Sequence, residues 1–513
     1  MITLSTERLK LDDYQHILFD NDSIILSDET LNLVEQSFLF LKEFSNNKVI
    51  YGVNTGLGPM AQYRVDTEDQ INLQYNLIRS HAAGSGKPLP PDYVRSAMIS
   101  RLKSLSLGYS GVHADAIKLL ADLINKNIIP YIPEHGGVGA SGDLVQLAHL
   151  ALVLIGEGEV MQHGKRVATE KVFKENHITP LTIHLREGLG LINGTSVMSG
   201  IGIVNTIYAK RLINWSVLAS AMINEIVQSF DDHFSHELNS TKQHRGQQII
   251  AEAMRKTLKN SQLIKKRSDH LYNGKIEEKI FKQKIQEYYS LRCVPQILGP
   301  VCDTLYNTEE VLVNELNSVN DNPVVDMKTK TVYHGGNFHG DYVSFEMDKL
   351  KIATTKLSML AERQVNFLMN HKLNEILPPF VNLGILGLNL GLQGTQFTAT
   401  STVAENQTMS NPVYVHSIPN NNDNQDIVSM GTNAALMAKK VIDNTFEVLA
   451  VEYLAIIQAI DYLSLESQLA TETNKIFREL RTQVPVFTDD SPRYTDLEKI
   501  KNYLKASAPN IIG

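Results

Sequence analysis

The chain has 513 residues, 43% hydrophobic and 20% charged, with a formal net charge of -8. It is long for one compact core, so two subdomains are expected, and its negative charge speaks against a nucleic-acid surface. Cys293 and Cys302, with no C-x-x-C, support neither a disulfide scaffold nor a cysteine zinc site.

Helical patterns dominate from the start. Ser27 reads as an N-cap, with Asp28 and Glu29 favouring the helix dipole and Leu31, Val34, Phe38 and Leu41 at helical spacing. The segment before it, Met1 to Arg8, has no basic region followed by an apolar core, so no secretory signal is expected and a cytoplasmic location follows. Helices are predicted at 91–107, 113–127 and 143–155, with a proline-bearing turn at 132–135. Residues 159–190 carry short extended pieces, turns and prolines and are expected to include a small sheet. Lys265-Lys266-Arg267 reads as a solvated loop.

After Asn193 the texture changes. Long segments near 196–228, 280–316, 343–370 and 430–465 lack interior prolines except Pro295 and Pro300. Leu350, Ala353, Leu357 and Leu360 form one stripe, and Met437, Val441, Phe446, Leu449 and Tyr453 another. A helix of ~35 residues spans about 50 Å and needs partners along its length. The stretch Ala434 to Ile460 is broken by Lys439, Lys440, Asp443, Glu447 and Glu452, so it reads as a bundle helix and not a membrane span. The expected organisation is an N-terminal domain over 1–192 and a long-helix bundle with a C-terminal helical region over 193–513.

One stretch carries unusual chemistry: Gly136-Gly137-Val138-Gly139-Ala140-Ser141-Gly142-Asp143. Small residues let backbone atoms approach closely. The Gly142 nitrogen can attack the Ala140 carbonyl with loss of water, and Ser141 can lose its hydroxyl as a second water. The product is a 4-methylidene-imidazol-5-one, an electrophile that ordinary side chains do not supply. A rival reading is a dinucleotide loop, since Gly137-x-Gly139-x-x-Gly142 matches G-x-G-x-x-G and Glu157 follows about 20 residues on. The predicted helix over 143–155 leaves no room for the second strand that should present that acid.

Seven motifs occur in one order: Tyr51-Gly52-Val53-Asn54-Thr55-Gly56-Leu57-Gly58, Gly139-Ala140-Ser141-Gly142-Asp143-Leu144, Leu191-Ile192-Asn193-Gly194-Thr195, Tyr289-Ser290-Leu291-Arg292-Cys293, Asn320-Asp321-Asn322-Pro323, Gly335-Gly336-Asn337-Phe338-His339 and Asn424-Gln425-Asp426. Together they resemble the aromatic amino acid ammonia-lyases, over nearly the whole chain and in detail most like the bacterial tyrosine enzymes. The resemblance implies a mainly α fold with a fumarase/aspartase-like long-helix bundle and a smaller mixed N-terminal domain. It also implies a homotetramer with active sites shared between chains, the methylidene-imidazolone from Ala140-Ser141-Gly142 as electrophile without an external cofactor, and neither nucleic-acid nor membrane partners.

Elimination of ammonia from an α-amino acid needs an electrophile, a base for the β-proton and a cation for the carboxylate. Ser141 supplies the first. Tyr51, heading a glycine-rich loop, fits the second, provided its surroundings favour a group whose free pKa is about 10. Arg292 fits the third through its planar fork. By resemblance Tyr289 sits near the electrophile, Asn193 and Gln286 orient substrate or ring, Phe338 lines the pocket, and Gly58 and Asn421 contact substrate.

Two polar clusters are read as structural and no metal is expected: Asp231 to Glu237, with His233 and His236, matches no zinc motif, and His334 and His339 flank a glycine turn. For the substrate, His81 resembles the histidine lyases at the selectivity position, whereas Gln425 stands where those enzymes place a glutamate. A neutral amide suits a neutral ring, and a ring nitrogen of His81 can hydrogen-bond a phenol. Tyrosine, giving 4-coumarate, satisfies both clues. Histidine, giving urocanate, is the alternative, with phenylalanine lyase and tyrosine aminomutase activities further ones.

Overall fold

The computed structural model describes residues 1–46, 48–272, 279–281 and 284–512, and it is mainly helical. By its contacts the chain divides into two compact units, each assembled from separate stretches. The first comprises Met1–Asn205, Thr308–Asp348 and Pro412–Ala438, and the second Thr206–Asn307, Lys349–Asn411 and Lys439–Gly513.

In the first unit the helix Asp28–Phe44 begins where Ser27 Oγ accepts from the Thr30 N–H at 3.1 Å. The helices Pro91–Leu105, Ala114–Asn125 and Leu144–Leu154 bury Met98, Leu102, Ile117, Leu120, Leu147 and Leu150. Small sheets edge this core. Glu159–Gln162 pairs antiparallel with Lys165–Ala168 and with Ile129–Pro130, Val160 standing opposite Val167. The expected turn at 132–135 is instead a short strand, Pro133–His135, paired with Ser85–Pro88. Its partner lies far away in sequence, so local turn chemistry could not reveal it. Arg186 and Asp321 form a fully buried ion pair at 3.1 Å beneath these elements.

The second unit is built on long helical stretches. Phe446, Leu449 and Tyr453 of the helix Gly431–Leu463 are fully buried. Tyr453 donates its hydroxyl to the Trp215 carbonyl at 2.7 Å and stacks edge-on against that indole. Met437, at the N-terminal end of the same stripe and within the first unit, stays 37% exposed. Of the expected helical run over 280–316, residues 282–283 lie outside the described residues, and helix begins only at Tyr289 among the described ones. Tyr289–Arg292 is a separate turn of helix, and the long helix spans Val294–Leu316. Pro295 accounts for the break, because proline fits the first helical turn, where its missing N–H has no partner to lose, and restricts the residue before it. Among the described residues no helix is long and apolar enough to cross a membrane.

Glu452 is an anomaly in this interior. It is fully buried, and neither carboxyl oxygen has a hydrogen-bond partner among the described residues. Burial pushes its carboxyl well above the usual range, so it is held protonated when folded and ionises when unfolded. Folding therefore takes up a proton, and the stability contributed at this site falls as pH rises above the unfolded carboxyl range. Glu452→Met should raise the unfolding free energy by ~1–3 kcal/mol at pH 8 and by less at pH 5, read from urea midpoints. An equal change at both pH values, or a loss of stability, contradicts this account.

Candidate active site

The glycine-rich loop before Leu144–Leu154 is pinned by backbone contact. Gly142 has φ +71°, forms a bridge with Gly194, and a Cβ on it would stand 2.0 Å from the Gly194 carbonyl oxygen. Only glycine fits there. The Asp143 N–H donates to that same carbonyl at 2.8 Å. The Asp143 carboxyl accepts from the Val197 and Met198 N–H groups at 2.9 Å, at the start of the helix Ser196–Ile226, and from the Thr432 hydroxyl. Burial pushes this carboxyl up to about 6 against those hydrogen bonds.

These contacts fix the peptides on either side of Ser141. Asn193 Nδ2 donates to the Ser141 carbonyl at 2.9 Å, and Asn193 Oδ1 accepts from the Asn322 N–H at 2.8 Å. Gln425 Nε2 donates to Ser141 Oγ at 2.9 Å. Gln425 is aimed there by a tight hairpin, Asn420 pairing with Gln425, in which Asn421, Asn422 and Asp423 all have positive φ. Asn and Asp tolerate that region better than most residues. The donor set fits ring closure at Ala140-Ser141-Gly142: no side chain stands on Gly142, and the Ser141 carbonyl oxygen, which would become the exocyclic oxygen of the ring, is held by Asn193.

A cavity of about 790 Å³ opens onto Ser141. Tyr51, Gly58, His81, Asn193, Phe338, Asn421 and Gln425 also line it, so eight of the residues singled out in the sequence meet at one cavity in the first unit. Tyr51 is held at its phenolic oxygen, which accepts from the Gly58 N–H at 3.0 Å. A donor at that point stabilises negative charge on the oxygen. Gly58 has φ +55°, and a Cβ there would press on Asn421 Nδ2 at 2.9 Å. His81 ends the helix Gln70–His81, and its Nδ1 lies 3.0 Å from the Leu77 carbonyl. Nδ1 also lies 3.1 Å from Ser80 Oγ, and in the tautomer that donates from Nδ1 to the carbonyl, Nε2 keeps its lone pair.

Gln286, Tyr289 and Arg292 belong to the second unit. Gln286 and Tyr289 line a separate cavity of about 670 Å³. Tyr289 is 69% exposed, and the Arg292 guanidinium stacks 4.7 Å over its ring. Gln364 Nε2, donating to the Ser290 carbonyl at 2.8 Å, anchors this turn.

Sequence reasoning passed over several lining residues. Leu77 and Ser80 share a helix face with His81, a spacing that could have revealed them. His334 and Asn322 also line the cavity, and His334, read as part of a structural turn, accepts from the Tyr51 N–H. No short-range pattern points to that contact. His233 is buried and pushed down to about 4 by burial, and among the described residues no group of three His, Cys, Asp or Glu is placed to hold a metal. Glu157, the acid of the rival dinucleotide reading, pairs with Arg79 at 2.6 Å.

A glycine-pinned Ala-Ser-Gly loop and a tyrosine line one cavity of a mainly helical protein, an arrangement that suits a lyase making its own electrophile. The sequence profile of the aromatic amino acid lyases matches residues 9–482, and the chain belongs to that family. It is 37% identical over 506 residues to a histidine ammonia-lyase of Geobacillus sp. (strain WCH70), covering 98% of this chain and 96% of that protein. It is 39% identical over 464 residues to a tyrosine 2,3-aminomutase of Myxococcus sp. (strain Mx-B0), covering 89% and 88%. The crystal structure of a tyrosine aminomutase from Streptomyces globisporus superposes with a TM-score of 0.93 at 36% identity, covering 98% of this chain and 97% of that one. Members of the family form a methylidene-imidazolone autocatalytically from an Ala-Ser-Gly segment, without an external cofactor.

Asp143→Ala removes the acceptor of three donors. It should destabilise the fold by roughly 2–4 kcal/mol in thermal melts at low pH. With the folded carboxyl raised to about 6, the wild type's advantage is full below the unfolded carboxyl range and shrinks as pH rises through 6. A variant as stable as wild type at about pH 4 contradicts this role for Asp143.

Proposed function

We propose that this protein eliminates ammonia from L-tyrosine to give 4-coumarate, with Tyr51 as base. The observation that carries the substrate reading is the placement of His81 on the cavity wall with its Nδ1 beside the Leu77 carbonyl. With Nδ1–H donating to the Leu77 carbonyl, Nε2 accepts from the phenol hydroxyl. Gln425 adds no negative charge to the cavity, which suits a neutral ring better than an imidazolium. Relatives named tyrosine aminomutase handle the same amino acid and lend support.

The methylidene-imidazolone supplies the electrophilic carbon that activates the substrate. The chain's own residues do the rest. The Tyr51 oxygen, steadied by the Gly58 N–H, takes the β-proton; the C–N bond breaks, ammonia leaves, and the C=C bond forms. Asn193 holds the Ser141 carbonyl, where withdrawn charge would be stabilised. Arg292 pairs with the substrate carboxylate in a bidentate manner, and Tyr289 and Gln286 accompany it. Homotetramer formation supplies the segment 286–292 to each site from another copy of the chain. The exposure of Tyr289 is consistent with that role.

Histidine is the second reading. Histidine ammonia-lyases match this chain over nearly its whole length, and relatedness alone favours histidine over tyrosine. Aminomutase chemistry, returning the amine to the β-carbon, is a third outcome, set by product retention. Separate incubation with tyrosine, histidine and phenylalanine, following 4-coumarate, urocanate and cinnamate by absorbance and β-tyrosine by chromatography, distinguishes them. Tyrosine should give the highest kcat/KM. His81→Phe should lower the tyrosine-to-phenylalanine ratio of kcat/KM by roughly tenfold to a hundredfold, the equivalent of ~1–3 kcal/mol. An unchanged ratio, or a wild type that prefers histidine, overturns the substrate reading.

A further inference from the structure

Tyr51 is tied to the Ser141 loop by a series of hydrogen bonds that runs through His334. Of the five backbone N–H groups from Ile50 to Asn54, four bond locally: that of Ile50 to Asn54 Oδ1, that of Gly52 to Thr55 Oγ1, and those of Val53 and Asn54 to the Ile50 carbonyl. The fifth, that of Tyr51 itself, donates outward to His334 Nε2 at 3.3 Å. The next residue, Gly335, donates its N–H to Asn322 Oδ1 at 2.7 Å. The Asn322 N–H donates to Asn193 Oδ1, and Asn193 Nδ2 donates to the Ser141 carbonyl. The pair His334-Gly335, then Asn322 and Asn193, thus link the backbone of Tyr51 to the electrophile segment along the wall of one cavity.

We propose that His334 is a positioning residue that sets the Tyr51 oxygen against the Ser141 loop, with Asn322 as the next link; the inference rests on Tyr51 being the base. The Tyr51 N–H donates to Nε2, so the ring is neutral with its hydrogen on Nδ1. Partial burial and the charge of Arg186 hold the ring below the ordinary histidine range, which favours that neutral form. His334 stands at the surface, with its ring only partly covered, and contributes little to the core, so its replacement should spare the fold. Its effect belongs on kcat: an error of about 1 Å in the position of a catalytic group lowers rate up to a hundredfold while substrate binding persists.

The test is a double-mutant cycle on the full-length protein with its best substrate, using His334→Leu, Tyr51→Phe and the pair, with His334→Gln as rescue. His334→Leu should lower kcat about tenfold to a hundredfold with KM within about twofold. It should add little to Tyr51→Phe, because a residue acting through Tyr51 has nothing left to position. His334→Gln, whose side-chain oxygen can accept the same N–H, should recover most of the loss. Intact mass should show the Leu variant still lacking two waters, as expected if maturation is intact. Wild-type kcat in His334→Leu, an equal loss in the Tyr51→Phe background, failure of the Gln rescue, or an unmatured Leu variant overturns the positioning role. Wild-type kcat in Tyr51→Phe instead shows that Tyr51 is not the base, and the proposal falls with that reading.

Discussion

The site depends on one close approach of two backbones. Gly142 lies so near Gly194 that a methyl group on Gly142 would overlap the Gly194 carbonyl, and Gly194 is itself hemmed in by Arg101 and Asn320, which a methyl group there would overlap. That contact brings Ser141 beside Asn193, because each is the residue immediately before one of the two glycines. It also sets Asp143 over the first turn of Ser196–Ile226, where its carboxyl meets backbone N–H groups that no helical carbonyl satisfies. A segment held from both ends keeps its peptides in one geometry, and self-condensation of a backbone depends on such restraint.

The second constraint is the fit between a hydrogen-bonded shell and an open cavity. Gln425, Asn193, Asn322 and His334 spend polar atoms on the loops that bear Ser141 and Tyr51. Three successive residues with positive φ at Asn421 to Asp423 represent local strain of order 1–3 kcal/mol each in an unfavourable case, less for Asn and Asp. Such strain persists where surrounding structure holds it, here in the hairpin that presents Gln425.

What could be read in the sequence divides along physical lines. The Ser27 cap, the helices of the first unit and the chemistry of Ala140-Ser141-Gly142 are local properties, set by residues within a few positions of one another. The strand Pro133–His135, the Tyr51–His334 contact and the Arg79–Glu157 pair join residues 45 to 283 positions apart, and no periodicity encodes them. The break before Val294 was visible in Pro295 but was weighed too lightly against the apolar spacing around it. Ring choice resists sequence reasoning for a different reason. It turns on one lone pair at His81 and one neutral amide at Gln425, differences of about 1–3 kcal/mol on which relatives of similar identity diverge.

The central claim is that this chain converts its own backbone into the electrophile. The most direct measurement is the mass of the purified, active protein, followed by the mass of the peptide that contains residues 140–142. The account predicts a chain lighter by two waters, with the whole deficit in that peptide. A full, unmodified mass in protein that turns over an aromatic amino acid would contradict it.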